Sequence, residues 1–292
     1  MLIAQISDLH VATDTSFMRR FVDANALLER AVEYCNTMTP RPDVVVATGD
    51  LTDHGTADEY GLLGEILGAL AVPLVVIPGN HDEPEVMRSA LGTPAGATGP
   101  TGPTFDHTVE DFPVRLVAVD STVPGRHDGE VDAAQLAWLD ACLAEQPDRP
   151  TFCFMHHPPF ATGIWWMDCI GLTGADGLGA VIGRHPQVRL LAAGHVHRPV
   201  TTVFAGTLAV TAPSTCHQTA MALHEDCPPR ITTEPPMLAL HQWTGDGFVS
   251  HATVFDKEGP DLNIAELVAD WPAAKAGILA RGPMPKGSGP VG

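Results

Sequence analysis

Positive charge is scarce in this chain: 16 Lys and Arg stand against 35 Asp and Glu in 292 residues, a formal net charge of −19. Nucleic-acid backbones are held by clustered Lys and Arg, so a nucleic-acid polymer is excluded as the expected partner. Also missing is any run near the roughly 18 apolar residues of a membrane-spanning helix. The N-terminus lacks the positive-then-apolar order of a signal peptide, so no membrane partner is expected. The cysteines, Cys35, Cys142, Cys153, Cys169, Cys216 and Cys227, show no Cys-x-x-Cys spacing. The first three fall in apolar periodic segments where small hydrophobes belong, which predicts reduced thiols and a cytoplasmic location. The 45% hydrophobic content is enough for a sizeable core in one large or two modest domains.

Several apolar runs read as buried strands, and each stops at a polar tip. Residues 2–7 end at Ser7-Asp8-Leu9-His10, residues 44–47 at Thr48-Gly49-Asp50, and residues 74–77 at Pro78-Gly79-Asn80-His81-Asp82. Residues 151–155 end at His156-His157-Pro158-Pro159, and residues 188–193 at Gly194-His195-Val196-His197. Between them, helical spacing runs through Phe17, Phe21, Leu28, Val32 and Cys35, and helices are expected near 58–70, 132–144 and 175–184. Strand, tip and helix in alternation argue for α/β layers with largely parallel strands, whose ligands bind beyond the C-terminal strand ends. Residues 92–103 read as a surface loop. Strand-like segments near 104–109 and 114–120 follow, and after His197 the chain reads as antiparallel strands near 199–204, 207–210, 237–243 and 248–255. The expected organisation is a core over 1–198, a β-rich extension over 199–270 that completes the core, and a Pro/Gly-rich tail over 271–292.

In an extended tip alternate side chains share a face, which would aim Asp8 with His10 and His195 with His197. The tips together supply Asp8, His10, Asp50, Asn80, His156, His195 and His197, oxygen and nitrogen donors without a thiolate. Such a set suits two first-row ions such as Mn, Fe, Co or Zn, because Mg or Ca alone would favour an all-oxygen cage. Seven side chains are too many for one ion that keeps an open position, whereas two ions sharing a carboxylate fit the count. Taken singly, Asn80 reads equally as a turn residue, His81 as a capping side chain, Asp8 as a loop carboxylate and His195-x-His197 as a solvated turn. Unrelated causes would have to put all of them at strand tips.

The series Asp8-x-His10, Gly49-Asp50, Gly79-Asn80-His81-Asp82, His156 and Gly194-His195-x-His197 resembles the motif series of the calcineurin-like metallophosphoesterases. Within that superfamily the short N-terminus, the His-His-Pro-Pro segment and the strand-rich C-terminal part are most similar to bacterial class III cyclic-nucleotide phosphodiesterases and glycerophosphodiesterases. The resemblance implies a four-layer αββα sandwich with a C-terminal strand-rich extension. It implies one metal on Asp8, His10, Asp50 and His197 and a second on Asp50, Asn80, His156 and His195, with Asp50 and a hydroxide bridging. It further implies in-line attack by that hydroxide on phosphorus, with Asp50, Asn80 and His81 catalytic and Asn80, His81, His197 and His217 touching substrate. His157 is read as structural and as facing away from the site, and Trp165 and Trp166 as packing or an apolar lid.

Purple acid phosphatases carry a tyrosine ligand after the Gly-Asp motif, and Leu51-Thr52-Asp53 offers none. The expected activity is hydrolysis of small phosphodiesters, cyclic nucleotides or glycerophosphodiesters. A phosphomonoesterase or nucleotide pyrophosphohydrolase is the second reading, and a non-catalytic scaffold the third. A homo-oligomer, dimer or higher, is expected because the extension would otherwise leave open strand edges.

Overall fold

The computed structural model describes residues 1–13, 20–92, 97–99, 104–257, 259 and 262–281. The chain forms two compact units, Met1–Asp256 and Lys257–Gly292. The first opens with β1 (Leu2–Ile6), α1 (Ala24–Thr37), β2 (Val44–Thr48), α2 (Ala57–Leu67), β3 (Leu74–Ile77) and α3 (Pro84–Leu91) in alternation. It continues through β4 (Ala97–Thr98), β5 (His107–Val109), β6 (Arg115–Ala118), β7 (Gly129–Glu130), α4 (Ala133–Ala144), β8 (Thr151–Phe154), α5 (Trp165–Asp168), β9 (Leu172–Thr173), α6 (Ala175–Arg184) and β10 (Val188–Ala193). It closes with β11 (Val200–Phe204), β12 (Thr207–Thr211), β13 (Gln218–Thr219), β14 (Ile231–Thr232), β15 (Met237–Trp243) and β16 (Phe248–Val254). The second unit holds α7 (Ile264–Leu267) and α8 (Trp271–Ala280).

Two large sheets form, ordered β16-β15-β1-β2-β3 and β11-β12-β10-β8-β6-β5-β4. Their centres are parallel, β1 with β2 with β3 and β6 with β8 with β10 with β12, and antiparallel strands extend the edges. The period-2 alternation of β2 explains the layering. Val44 and Val46 join Phe152, Phe154, Leu190 and Ala192 between the sheets. Val45 and Ala47 point the other way, against Leu28 and Val32 of α1 and Leu63 of α2. On the far side Cys153, Leu191 and Ala209 pack on Leu139 and Leu143 of α4 and Val181 and Ile182 of α6. The result is helix, sheet, sheet, helix. Strands after residue 199 are shared between the sheets, β11 and β12 joining one and β15 and β16 the other.

Four local expectations change. The first helix starts at Ala24, because the Asp23 side chain accepts from Ala26 N and caps it. Phe21 therefore precedes the helix and is exposed, and Phe17 lies outside the described residues. The second helix stops at Leu67 and starts under a capping box between Thr56 and Glu59. The segment read as a tail contains α8, whose first turn Asp270 caps through Ala273 N; residues 282–292 lie outside the described residues. Most of the expected loop over 92–103 also lies outside them, and Ala97–Thr98 forms β4.

Candidate metal centre

The site is built from loops beyond the C-terminal strand ends, in backbone conformations that side chains rarely choose. Asp8 and His10 follow β1, Asp50 follows β2, and His195 and His197 follow β10; all have positive φ, from 47° at His10 to 68° at His195. A non-glycine residue in that region costs about 1–3 kcal/mol, so the surroundings must hold it there. Hydrogen bonds between loops do so. Asp8 N donates to the Gly49 carbonyl and His10 N to the Asp50 carbonyl, both at 3.0 Å. His195 N donates to Asp8 Oδ1 at 3.0 Å, and His81 N to Asp50 Oδ1 at 2.9 Å. The expectation that extended alternation aims Asp8 with His10 and His195 with His197 is therefore corrected. The strands end at Ile6 and Ala193, and left-handed turns do the aiming.

Glycine supplies the space for these turns. A Cβ on Gly49, at φ 86°, would lie 2.4 Å from His156 Nδ1, and one on Gly194 would lie 2.1 Å from Ser7 Oγ.

Four histidines are oriented from behind. His156 Nδ1 lies 2.8 Å from the Thr48 carbonyl, His197 Nδ1 3.0 Å from the His217 carbonyl, His10 Nδ1 3.1 Å from Asp53 Oδ1, and His195 Nε2 3.0 Å from the Ile170 carbonyl. Those oxygens only accept, so the four nitrogens carry protons and the opposite ring nitrogens present lone pairs. The lone pairs meet other acceptors. His10 Nε2 is 3.2 Å from His197 Nε2, and His156 Nε2 is 3.1 Å from Asn80 Oδ1 and 3.4 Å from Asp50 Oδ1. His197 Nε2 is 3.4 Å from Asp8 Oδ1, and Asp8 Oδ2 is buried without a hydrogen-bond partner among the described residues. Acceptors this close repel unless a proton or a metal cation lies among them. Ligand atoms of Asp8, His10, Asp50 and His197 lie within 4.8 Å of one another, as do those of His156, His157 and His195. The donors fit divalent cations of mixed nitrogen and oxygen preference.

The charges agree. Burial raises the Asp8 carboxyl, His156 opposes and Asp50 reinforces, and the group ends at about 6. Burial would raise Asp50 too, but His156, His81 and His10 hold it well below the usual carboxylate range. Burial, then the neighbouring His156, pushes His195 down to about 3. Burial, then His217 and His10, holds His197 well below its ordinary value. Both rings stay neutral, the form that binds metals.

Residues 1–199 match the family model of the calcineurin-like phosphoesterases. The chain belongs to that family. A probable glycerophosphodiester phosphodiesterase GpdQ of Arcobacter nitrofigilis is 36% identical over 263 residues, covering 89% of this chain and 96% of its own. The 3′,5′-cyclic adenosine monophosphate phosphodiesterase CpdA of Escherichia coli is 32% identical, over 74% of this chain and 76% of its own. A solved dimetal phosphatase from Danio rerio shares the fold at a TM-score of 0.62 and 18% identity, covering 88% of this chain and 99% of its own. Membership makes this chain a hydrolase of phosphate esters that binds divalent metal ions.

The phosphoesterase site opens into a cavity of about 280 Å³. His81 and His217 line it together with Asp50, Asn80, His195 and His197. The His81 ring stands edge-on to His10 at 4.8 Å, and the His217 ring lies 4.5 Å from His197. His157 does not face away as expected: its ring packs 4.5 Å from His195. Both its nitrogens are nonetheless taken, by Ser121 Oγ at 2.9 Å and the His127 carbonyl at 3.1 Å, which suits a supporting role.

Other phosphoesterase residues escaped the sequence reading. Asp53 accepts from His10, and its carbonyl accepts from His81 Nδ1 at 3.0 Å. Burial would raise its carboxyl, yet the His10 hydrogen bond and nearby imidazoles hold it below the usual range. Asp82 accepts from Leu51 N, Thr52 N, Gly79 N and Tyr60 Oη, locking the turn that carries Asn80 and His81 onto the Asp50 loop. Asp82 lay inside the quoted motif and Asp53 three residues past Asp50, so adjacency was the available signal. His127, 3.4 Å from Asn80 through its Nδ1, and the Ile170 carbonyl carried no such signal.

Proposed function

We propose that this phosphoesterase hydrolyses small phosphodiesters, cyclic nucleotides or glycerophosphodiesters, on two divalent ions drawn from Mn, Fe, Co and Zn. Asp8, His10, Asp50 and His197 would hold one ion, and Asp50, Asn80, His156 and His195 the other. The observation that carries the reading is the convergence of ring lone pairs and carboxylate oxygens, with Asp8 Oδ2 left without a hydrogen-bond partner among the described residues. When bound, the ions supply an activated water and neutralise charge on the phosphoryl oxygens.

The protein's own groups do the rest. Thr48, Asp53, Ile170 and the His217 carbonyl hold four imidazoles in the tautomer that turns a lone pair inward. His81 donates a hydrogen bond from Nδ1–H to the Asp53 carbonyl, which leaves Nε2 to take or return a proton at an ester oxygen. Asn80 and His217 complete the polar lining against the phosphoryl group. A homo-oligomer is supported by the outer strands of the sheets, β16 and β3 in one and β11 and β4 in the other, and light scattering reads it directly. A cytoplasmic location is supported by six free cysteines.

The test is turnover of bis(p-nitrophenyl) phosphate by Mn-loaded protein beside Asn80→Ala, His81→Ala and a p-nitrophenyl phosphate control. Diester turnover that falls at least about 100-fold in Asn80→Ala and about 10-fold or more in His81→Ala is expected. Turnover of the monoester alone overturns the diester assignment, and no turnover of either with metal bound returns the protein to a scaffold.

A further inference from the structure

Trp165 and Trp166 are consecutive in α5 and differ in what holds them. Trp165 is anchored twice: its backbone N–H donates to the Ala222 carbonyl at 3.1 Å and its indole N–H to the Cys227 carbonyl at 2.8 Å. The Trp166 indole N–H makes no hydrogen bond among the described residues, although burial of a polar atom normally demands one. Trp166 instead lines the cavity over the metal centre, with Met167, Ile170 and Ile231. Both tryptophans and Ile170 pack against a small apolar cluster of Ile164, Met167, Ala222 and Val196, the last lying between His195 and His197, and the Ile170 carbonyl holds His195 Nε2 at 3.0 Å. The apolar part of the lining is thus fastened to the loop carrying two of the histidines.

A phosphoryl group needs cations and N–H or O–H donors, none of which Met167, Ile170 or Ile231 offers. Apolar lining of a polar catalytic cavity is useful for the substrate's organic part. Indole presents a broad flat face that prefers another ring stacked or edge-on against it. Hydroxyl-rich, flexible alcohols would lose hydration there without new partners.

We infer that Trp166, with Ile170 and Ile231, is the specificity-determining wall for one ester group, and that it selects phosphodiesters carrying a flat aromatic ring on an alcohol. The inference rests on the phosphodiesterase reading above.

The experiment compares two esters with the same leaving group, p-nitrophenyl phenyl phosphate and p-nitrophenyl methyl phosphate, in Mn-loaded wild type, Trp166→Ala, Trp166→Phe and Ile231→Ala. Wild type should prefer the phenyl ester about 10-fold in kcat/KM, through KM. Trp166→Ala should bring the ratio to about 1 to 2, Trp166→Phe should keep most of it, and Ile231→Ala should fall between. The ratio is internal to each variant, so partial loss of folded protein cancels. Equal use of both esters by wild type, or an unchanged ratio in Trp166→Ala, overturns the wall. Failure to hydrolyse either ester in wild type instead overturns the phosphodiesterase reading beneath it.

Discussion

The two sheets bring different chemistry to the same place. From the five-stranded sheet come the oxygen donors, Asp8, Asp50 and Asn80 beyond β1, β2 and β3, together with His10. From the seven-stranded sheet come imidazoles alone, His156 beyond β8 and His195 and His197 beyond β10. In the proposed assignment neither sheet carries a centre by itself, so the proposed metal site would depend on how the sheets stack. That interface is mostly apolar, with a polar thread through it. Gln5 Nε2 donates to Thr48 Oγ1 at 2.9 Å in its own sheet and crosses to the Ala193 carbonyl of the other at 3.0 Å. Gln5 Oε1 accepts from His241 Nε2 at 2.9 Å, and His241 Nδ1 then accepts from Ser250 Oγ at 2.8 Å. The crossing bond ends one residue before Gly194.

The strongest way to break this dependence is Gly194→Ala. Its Cβ would stand 2.1 Å from Ser7 Oγ and 2.6 Å from the Thr48 carbonyl, so the loop after β10 could no longer lie against the other sheet. We expect a loss of more than about 4 kcal/mol and of two-ion binding, read by thermal unfolding and metal analysis of the purified protein. A variant that keeps two ions would show that the sheets assemble their halves independently.

Metal removal comes next. If ions bridge donors from both sheets, saturating metal near 1,000 times Kd stabilises the fold by about 4 kcal/mol, which chelation reverses. A melting temperature indifferent to chelator would mean that no ion binds the folded chain at that strength.

Gln5→Leu sharpens the comparison without touching a ligand. It removes the acceptor of the His241 N–H and one of the two hydrogen bonds to the Ala193 carbonyl, which Ala212 N still reaches at 2.8 Å, at an expected cost of about 1–3 kcal/mol in chemical denaturation. A neutral result would mean that apolar packing alone sets the relation of the sheets.

A last test lies in pH. Burial, with His251 adding to it, pushes His241 down to about 3 from an ordinary 6.5. The unfolded chain therefore takes up a proton below pH 6.5 that the folded chain refuses, and the contribution of His241 to stability, complete above 6.5, is lost as pH falls toward 3. In His241→Gln the dependence of stability on pH across that window should flatten by about one proton. An unchanged slope would mean that His241 is charged between the sheets.

Much of this was legible because it is periodic or local. Val44 to Ala47 alternates between two apolar environments, so its strand and the layers on either side follow from hydrophobicity alone. Asp8, His10, Asp50, Asn80, His156, His195 and His197 stood at strand ends, and the structure gathers them. The start of α1 was misjudged because Phe17 and Phe21 extend the apolar spacing past the Asp23 cap, and capping hydrogen bonds override spacing at helix ends.

Which residues could be ligands, and that each would sit where a strand stops, follow from residue type and chain order. Which way they face is set by the folded chain. Left-handed turns at Asp8, His10, Asp50, His195 and His197 are held by bonds to residues distant in the chain, and each ring's tautomer is set by an oxygen from another loop. Such partners are chosen by packing, because a carbonyl such as that of Ile170 is chemically the same as every other until the fold sets it against His195.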